Sequence, residues 1–303
     1  MNRVEFGRLI ASLRREHEDE NDRPWNQERL AREANAVVGA EVLSKYIVSN
    51  IERGNRILDE ETLLALAAAL RLTSGERKEF FLAASGVDNE RIALQRDEPE
   101  EVLSQLLERF SQVYLPAFIM DQYCDIVALN SPLIQIVDLA AAELNPNAGN
   151  KRPFPLNMLR ILFSEERVDV FGELFGGSWS DYAYHNVMLF RTFSLRYRSN
   201  FYFQALLQEL KKYRAFKRYW RGMYLEEKGH SPSGGYIHLN SPRWGNVGLF
   251  LASLTALTTA GELHFCVYVP TTYDTTCLLS QLLGQGDAAS IFRVGSWPEK
   301  TLS

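Results

Sequence analysis

A run of short polar side chains begins at Ser44, and its spacing places several of them on one flank of a helix. Val48 and Ile51 fall on the opposite flank, as a buried apolar stripe would. Lysine, serine and asparagine side chains make the hydrogen bonds that distinguish base pairs in the major groove of DNA. The pattern therefore predicts a recognition helix whose outward residues are Ser44, Lys45, Tyr46, Ser49 and Asn50.

Four further residues flank this helix and are suited to the phosphate backbone of DNA. Arg53, Asn55 and Arg56 surround the predicted helix end at Gly54, and Gln27 stands near the start of an earlier helix. Guanidinium and amide groups bind phosphate oxygens and fix a protein on the duplex without reading its sequence. For any one of these residues taken alone, the alternative to DNA binding is that the domain is an ordinary helical bundle whose basic side chains are solvated.

Charge and composition restrict the classes to which this chain can belong. The 303 residues carry a formal net charge of −5, and residues 1–88 hold 13 Lys and Arg against 16 Asp and Glu. Contact with nucleic acid must therefore come from a local patch, and non-specific binding should be weak and steeply salt-dependent. The chain shows no signal segment, no bilayer-spanning run and only three isolated cysteines. These features predict a cytoplasmic protein without membrane insertion.

The elements that position these residues form an all-α domain over residues 1–88. Apolar residues recur at helical spacing through five segments, Asp59 and Ser74 can cap the fourth and fifth helices, and Gly54 suits the end of the third. The second and third helices of this five-helix domain are the expected helix-turn-helix (HTH) pair.

A larger domain at residues 102–290 follows a polar linker at residues 89–101 and precedes a tail at residues 291–303. Leu263, Phe265 and Val267 alternate with His264 and Cys266, which is the period of a strand. Two strands, a helical insert and three more strands predict a five-stranded antiparallel sheet with helices on one face. The predicted fold class is α+β multidomain, and the insert includes one long helix from about 201 to 224 with a basic flank.

Several motifs resemble those of known regulators. The segments Gln27–Ala31 and Ser44–Gly54 are similar to the two HTH helices of the XRE (phage-repressor) family. The motifs that resemble the MmyB-like transcription regulators are Pro116–Asp121, Asp125–Asn130, Leu156–Phe163, Trp220, Asn246–Leu249 and Phe265–Pro270. This resemblance covers nearly the whole chain and implies an XRE-type HTH followed by a PAS-like ligand-binding domain. It therefore implies a ligand-responsive, sequence-specific DNA-binding transcription regulator.

Two positions depart from the patterns of these families. Asn35 aligns with the glycine that XRE proteins usually have in the HTH turn, and seven residues are inserted before Val42. Asparagine can adopt positive φ there, but the insertion leaves the angle between the two helices open. Leu129 stands where MmyB-like regulators often have tryptophan, so details of the pocket are expected to differ.

Large apolar side chains of the second domain are candidates to line a small-molecule pocket. A small apolar or amphiphilic ligand is expected, with a fatty acid as the favoured example, and no cofactor is required. The predicted lining residues are Phe118, Met120, Met158, Phe163, Phe190, Phe193, Trp220, Tyr224 and Phe265. Arg160, His185, Arg191 and Tyr197 are the candidates for a polar head group. Ordinary core packing is the alternative for each of these residues.

Other functions are weighed against this one. An enzyme is disfavoured, because the sequence has no nucleophile elbow, phosphate-binding loop or dinucleotide motif. His238 and His264 could meet on neighbouring strands, but further zinc ligands are missing. The main alternative is an HTH protein whose C-terminal domain is a protein-interaction or dimerisation module without a small ligand. The expected partners are double-stranded operator DNA, the small apolar ligand and a second copy of the chain in a homodimer.

Overall fold

The computed structural model describes residues 1–87, 98–137, 154–226, 235–283 and 290–300. The chain divides into two compact units. The helical unit comprises Met1–Asp88, Arg191–Leu207 and Met223–Glu227. The sheet unit comprises Asn89–Phe190, Gln208–Gly222 and Lys228–Ser303. Residues 191–207 were predicted to belong to the sheet domain, whereas they pack with the N-terminal helices. Of the predicted linker at residues 89–101, residues 89–97 lie outside the described residues.

Five helices form the N-terminal part of the helical unit. They are α1 (Arg3–Glu16), α2 (Gln27–Val38), α3 (Lys45–Glu52), α4 (Glu60–Ala69) and α5 (Ser74–Ala84). Each begins after a polar residue whose side chain accepts a hydrogen bond from a backbone N–H of the first turn, and these residues are Asn2, Asn26, Ser44, Asp59 and Thr73. Such caps satisfy N–H groups that have no partner within the helix. The sequence had suggested Ser74 as the cap of α5, but the cap is Thr73.

The core of the helical unit contains apolar residues from all five helices. Leu9, Ile10, Leu30, Val48 and Leu66 are fully buried in it. Its packing includes one close approach of two backbones. A Cβ atom on Gly7 would lie 2.5 Å from the carbonyl oxygens of both Ile51 and Glu52, so only glycine lets α1 pack this closely on the end of α3.

The segment Arg191–Leu207 completes this unit. Within it, a 3₁₀ turn spans Leu195–Tyr197, and Leu195 is fully buried in the same core as the N-terminal helices. A Cβ atom on Gly75 would lie 2.4 Å from Oγ1 of Thr192, which shows how closely the segment approaches the start of α5. The helical unit is therefore built from residues that are far apart in the sequence.

Eight further helices and six strands complete the described chain. The helices are α6 (Pro99–Phe110), α7 (Ser131–Val137), α8 (Met158–Phe163), α9 (Glu165–Phe175), α10 (Trp179–Phe193), α11 (Phe201–Leu210), α12 (Arg214–Glu226) and α13 (Tyr273–Leu283). A second 3₁₀ turn, Gly176–Ser178, joins α9 to α10. The strands are β1 (Ala117–Asp121), β2 (Ile126–Asn130), β3 (Tyr236–Ser241), β4 (Gly245–Thr258), β5 (Gly261–Pro270) and β6 (Ile291–Arg293). None of the described helices is both long and apolar enough to cross a membrane.

The strands form one antiparallel sheet in the order β3-β4-β5-β1-β2-β6. The prediction of five strands is wrong by one, because β6 has only three residues and shows no alternating pattern. The predicted single helix from about 201 to 224 is also wrong. Its apolar stripe continues without interruption, but the backbone breaks between α11 and α12, where Lys212 and Tyr213 form turn hydrogen bonds to Glu209 and Leu210.

Helices cover both faces of the sheet, whereas the sequence had predicted one face. Ala117, Ile119 and Leu263 point to the face that packs on Phe110 of α6. Side chains alternate along a strand, so Phe118 and Tyr268 point to the opposite face. On that face the hydroxyl groups of Tyr268 and of Tyr182 in α10 lie 2.8 Å apart. Helix α10 packs on this second face through Tyr182.

Candidate nucleic-acid interface and ligand-binding residues

Helix α3 has one buried flank and one accessible flank. Val48 and Ile51 are 0% and 3% exposed and anchor the helix in the core of the helical unit. Tyr46 is 76% exposed, Lys45 is exposed, and Asn50 is half-buried. Ser44 is the N-cap and is itself exposed, and Ser49 is half-buried. The helix therefore presents the predicted polar residues along one continuous flank.

The end of α3 is fixed to the helices beside it. Both carboxylate oxygens of Glu52 accept hydrogen bonds from Arg14, at 2.6 Å and 3.1 Å. The Nε2 amide of Gln27 donates a further bond to Glu52 Oε2 at 2.7 Å. Arg14 also donates to the carbonyl oxygen of Trp25. Gln27, which was predicted to contact DNA, thus has one amide hydrogen bond within the protein.

Asn35 organises the enlarged turn between α2 and α3. Asn35 aligns with a glycine of the HTH turn, but it lies inside α2, and the left-handed residue that ends this helix is Gly39, with φ +73°. The Asn35 side chain accepts hydrogen bonds from the N–H groups of Val42 and Leu43, at 2.9 Å and 2.8 Å. Its amide donates to the Leu43 carbonyl oxygen at 2.7 Å. One half-buried polar side chain thereby sets the path of the inserted loop.

The residues predicted to contact phosphate follow α3 and lie on the surface. Arg53, Asn55 and Arg56 are exposed. Gly54 has φ +74°, and a Cβ atom there would lie 2.8 Å from the backbone of Val4, so the chain turns here through a conformation that glycine adopts without strain. Of the two arginines, Arg53 lines the same cleft as Ser49 of α3.

A buried ion network ties the segment Arg191–Leu207 to the helical unit. Arg191 donates to both carboxylate oxygens of Glu76 at 2.9 Å, and Arg198 donates to Glu76 Oε1 at 2.7 Å. Arg198 also forms an ion pair with Glu16. We call these four residues the Glu76 network. Burial alone would raise the pKa of Glu76, but the charges of Arg191 and Arg198 and the hydrogen bonds from Arg191 and from the Thr73 N–H lower it to about 2.

Sequence reasoning missed this network. Its partners are separated by more than a hundred residues, and no local spacing signals the pairing. Arg191 had been assigned to a ligand head group, but its guanidinium group is bound to Glu76. A buried ion pair of this kind could only have been found once the fold of the segment was known.

Aromatic side chains of the sheet unit form a continuous cluster. The ring of Phe216 in α12 lies 5.6 Å from the ring of Phe163, 6.5 Å from Phe190 and 5.6 Å from Trp220. All four rings are buried, with at most 5% of their surface exposed. These distances are those of favourable aromatic pairs. The cluster brings together three of the predicted ligand-lining residues with Phe216, which the sequence analysis did not select.

Comparison with known families identifies the greater part of the chain. A family model described as the MmyB-like transcription regulator ligand binding domain matches residues 83–282. The match covers well over half of the sequence. The chain belongs to the MmyB-like transcription regulators. No curated protein matches it. The family is one of transcription regulators that carry a ligand-binding domain, and the matched range includes both the aromatic cluster and the segment docked on the helical unit.

Other candidate ligand residues of this MmyB-like regulator are not gathered at one place. Phe118 and Met120 are buried on the face of the sheet that carries Tyr268, whereas Phe265 points to the opposite face and packs against Phe110, with ring centroids 5.5 Å apart. Met158 is buried in the first turn of α8. Phe193 and Tyr197 belong to the helical unit, and the side chain of Tyr224 lies outside the described residues.

The remaining polar candidates of the regulator have different surroundings. Arg160 donates to the carbonyl oxygen of Phe154 at 3.3 Å and lies over its ring. His185 is half-buried, and burial lowers its pKa below the usual value of a histidine. Neither residue is fully enclosed, so either can meet a polar group that enters the unit.

The strand histidines do not meet. His238 is in β3 and His264 is in β5, and β4 lies between these strands, so the suggestion that they lie on neighbouring strands is wrong. Burial lowers the pKa of His264 to about 4, and its Nδ1 lies 3.0 Å from the Thr255 hydroxyl. Within the described residues, no group of three or more His, Cys, Asp or Glu side chains is arranged to hold a metal ion.

A second buried charge cluster holds the C-terminal end of the sheet unit. The Lys300 ammonium group contacts the carboxylates of Asp121 and Asp125, the latter at 2.8 Å. Burial, with a smaller contribution from Asp125, raises the pKa of Asp121 to about 6 against the opposing charge of Lys300. These ion pairs fix the segment after β6 on the hairpin of β1 and β2. The cluster therefore has a structural role.

Proposed function

We propose that this MmyB-like regulator binds operator DNA with helix α3 and responds to a small apolar or amphiphilic molecule bound in its sheet unit. Two chains pair, and their α3 helices enter successive major grooves about 34–36 Å apart on a palindromic site. The ligand alters DNA binding to the extent that its affinity differs between the DNA-competent and DNA-incompetent states.

The observation that carries the DNA-binding proposal is the two-sided character of α3. Val48 and Ile51 hold the helix in the core, while Lys45 and Tyr46 are exposed at its N-terminal end. In HTH proteins the N-terminal residues of the recognition helix contact base edges. Arg53 and Arg56 are exposed, and in this proposal they bind backbone phosphates.

The ligand proposal rests on family membership and on the aromatic cluster. We propose a fatty acid beside Phe163, Phe190 and Trp220, because each buried methylene contributes about 0.8 kcal/mol. A chain of about ten methylenes therefore contributes roughly 8 kcal/mol before the cost of association. Arg160 and His185 are the head-group candidates within the sheet unit, since Arg191 is bound to Glu76.

The triple variant Lys45→Ala/Ser49→Ala/Asn50→Ala tests the DNA-binding proposal. Operator fragments are first selected from random duplex DNA with the native protein, and affinity is then measured by fluorescence anisotropy. We expect specific binding to fall about a hundredfold or more, because three base-contacting side chains are removed. Lys78→Ala, at an exposed lysine of α5, is the control for loss of one positive charge and should bind normally. Specific binding that survives in the triple variant would refute the proposal.

Native mass spectrometry followed by solvent extraction tests the ligand proposal. A co-purifying fatty acid or similar amphiphile, released in proportion to protein, is the expected result. Protein that is fully folded and ligand-free from several expression hosts, and that binds no added fatty acid, would contradict it. That result would favour the alternative, a C-terminal dimerisation module without a small ligand.

One observation supports this alternative and is also consistent with a ligand-binding dimer. Tyr236, Phe250, Leu254 and Val269 share one face of the sheet, because they occupy paired or alternate positions on β3, β4 and β5. They are 54%, 37%, 71% and 38% exposed. Contiguous exposed apolar surface of this kind is typical of protein interfaces. A second copy of the chain is the partner that we propose for it.

A further inference from the structure

A cleft opens in the helical unit beside the accessible flank of α3. Its volume is about 480 Å³, which is within the range of small-molecule sites, about 300–1,000 Å³. Helix α1 contributes Arg8 and Arg15, the end of α3 contributes Ser49 and Arg53, and the docked segment Arg191–Leu207 contributes Ser199 and Gln204. Three parts of the chain that are distant in sequence thus converge on one concave surface.

The cleft concentrates positive charge. Arg8, Arg15 and Arg53 are exposed, and within the described residues none of their guanidinium groups forms an ion pair or hydrogen bond. The one acidic side chain that lines the cleft, Glu52, has both oxygens engaged by Arg14, and one of them by Gln27 as well. Three uncompensated guanidinium groups therefore face the cleft in a chain whose formal net charge is −5.

The donor chemistry of the cleft matches phosphate. Guanidinium groups bind phosphate oxygens with two parallel hydrogen bonds, and hydroxyl and amide groups add neutral donors. Among the residues that line the cleft, Ser49, Ser199 and Gln204 supply such donors. A carboxylate ligand would be served by one arginine, whereas a phosphate with three terminal oxygens, or two adjacent phosphates, can engage all three.

We propose that this cleft binds a phosphate group, supplied either by the DNA backbone or by a free phosphate-bearing anion. If the phosphate belongs to the DNA backbone, this inference rests on the proposed function and adds a phosphate contact to it. Ser199 and Gln204 lie within the residues that match the family's ligand-binding domain. The part of the chain assigned to ligand binding would then contribute directly to the phosphate site beside α3.

The double variant Arg8→Gln/Arg15→Gln tests the proposal in two assays. In the first, the affinity for a mixed-sequence DNA duplex is measured by anisotropy over a range of salt concentrations. Each phosphate contact that is lost lowers the slope of log affinity against log salt by about one. In the second, binding of inorganic pyrophosphate is measured by titration calorimetry. Lys78→Gln/Arg109→Gln removes the same charge from exposed positions outside the cleft and is the matched control.

A fall in the salt slope that the control does not show supports a DNA-backbone phosphate. Pyrophosphate binding that is weakened about tenfold or more in the cleft variant, with an unchanged DNA slope, supports a free phosphate-bearing anion. Cleft and control variants that behave alike in both assays would overturn the proposal. This failure is distinct from failure of the proposed function, which is tested at Lys45 and Asn50.

The neutral variant Ser199→Ala/Gln204→Ala tests the contribution of the docked segment. Because it changes no charge, any weakening reflects lost hydrogen bonds at the cleft and not a change in the overall field. We expect it to weaken whichever assay the arginine variant affects, by about threefold to tenfold. Unchanged binding in both assays would remove the segment from the site.

Discussion

Replacing Arg198 by methionine removes the charge that joins the two acidic residues of the Glu76 network. Arg198 and Glu76 are both fully buried, and Arg198 also pairs with Glu16, whose side chain is 12% exposed. Methionine keeps much of the side-chain volume, so the main loss is electrostatic. Loss of one partner from a buried pair costs about 3–5 kcal/mol, because the remaining charge stays buried without full compensation. Glu76 keeps Arg191, so we expect the lower end, about 3 kcal/mol.

Hydrogen–deuterium exchange measures this loss in the helical unit alone. A chain with two units need not unfold in one step, so a global denaturation curve would mix their stabilities. A loss of about 3 kcal/mol corresponds to roughly a hundredfold faster exchange at the slowest amides of α1 and α5. The sheet unit should keep its exchange rates.

Arg196→Met is the matched control for this experiment. Arg196 is in the same segment and pairs with Glu79 at 3.2 Å, but the Glu79 side chain is 20% exposed and can be hydrated when its partner is lost. We expect a smaller cost than for Arg198→Met, about 1–2 kcal/mol, because Glu79 keeps some access to water. The reasoning would be refuted if Arg198→Met and Arg196→Met accelerated exchange in α1 and α5 equally.

Three further predictions follow from single side chains. Asn35→Ala removes three hydrogen bonds from the turn before α3 and should destabilise the helical unit by about 1–3 kcal/mol, seen as faster exchange in α2 and α3. His264 has a native pKa of about 4, below 6.5, so the folded state binds fewer protons between these values, and the free energy of unfolding should fall by about 3 kcal/mol as pH drops from 6.5 to 4. His264→Gln should reduce that fall in urea titrations. Leu254→Glu should convert a dimer to monomers in light scattering, whereas Leu64→Glu should not.

Local signals in the sequence predicted most of the individual elements. Asp59 was expected to cap a helix and does so, because a carboxylate before an apolar run satisfies the free N–H groups of the first turn. The alternation through Leu263 and Phe265 predicted β5, since the side chains of a strand repeat every two residues, although residues on both of its faces are buried. The accessible flank of α3 was predicted because Val48 and Ile51 leave only one side free.

The errors share a physical cause, which is dependence on contacts between distant residues. Strand β6 exists because Ala128 and Leu129 offer a free edge to Phe292 and its neighbours, and three residues carry no pattern of their own. Asn35 was aligned with the glycine of the HTH turn from its place in a motif, whereas it lies inside α2 and its side chain binds the loop that follows. The candidate pocket residues were chosen for size alone, and size does not indicate which face of the sheet a side chain occupies.

The docking of Arg191–Leu207 illustrates why the charged network accompanies an apolar contact. Leu195 is fully buried against the N-terminal helices, and this burial favours docking in any register that hides it. Hydrogen bonds between guanidinium and carboxylate groups require defined directions, so the contacts of Arg191 and Arg198 with Glu76 favour the observed register. Any other register would leave a buried carboxylate without its partners, at a cost of several kcal/mol. The apolar contact thus provides affinity, and the network determines the position of Ser199 and Gln204 at the cleft beside α3.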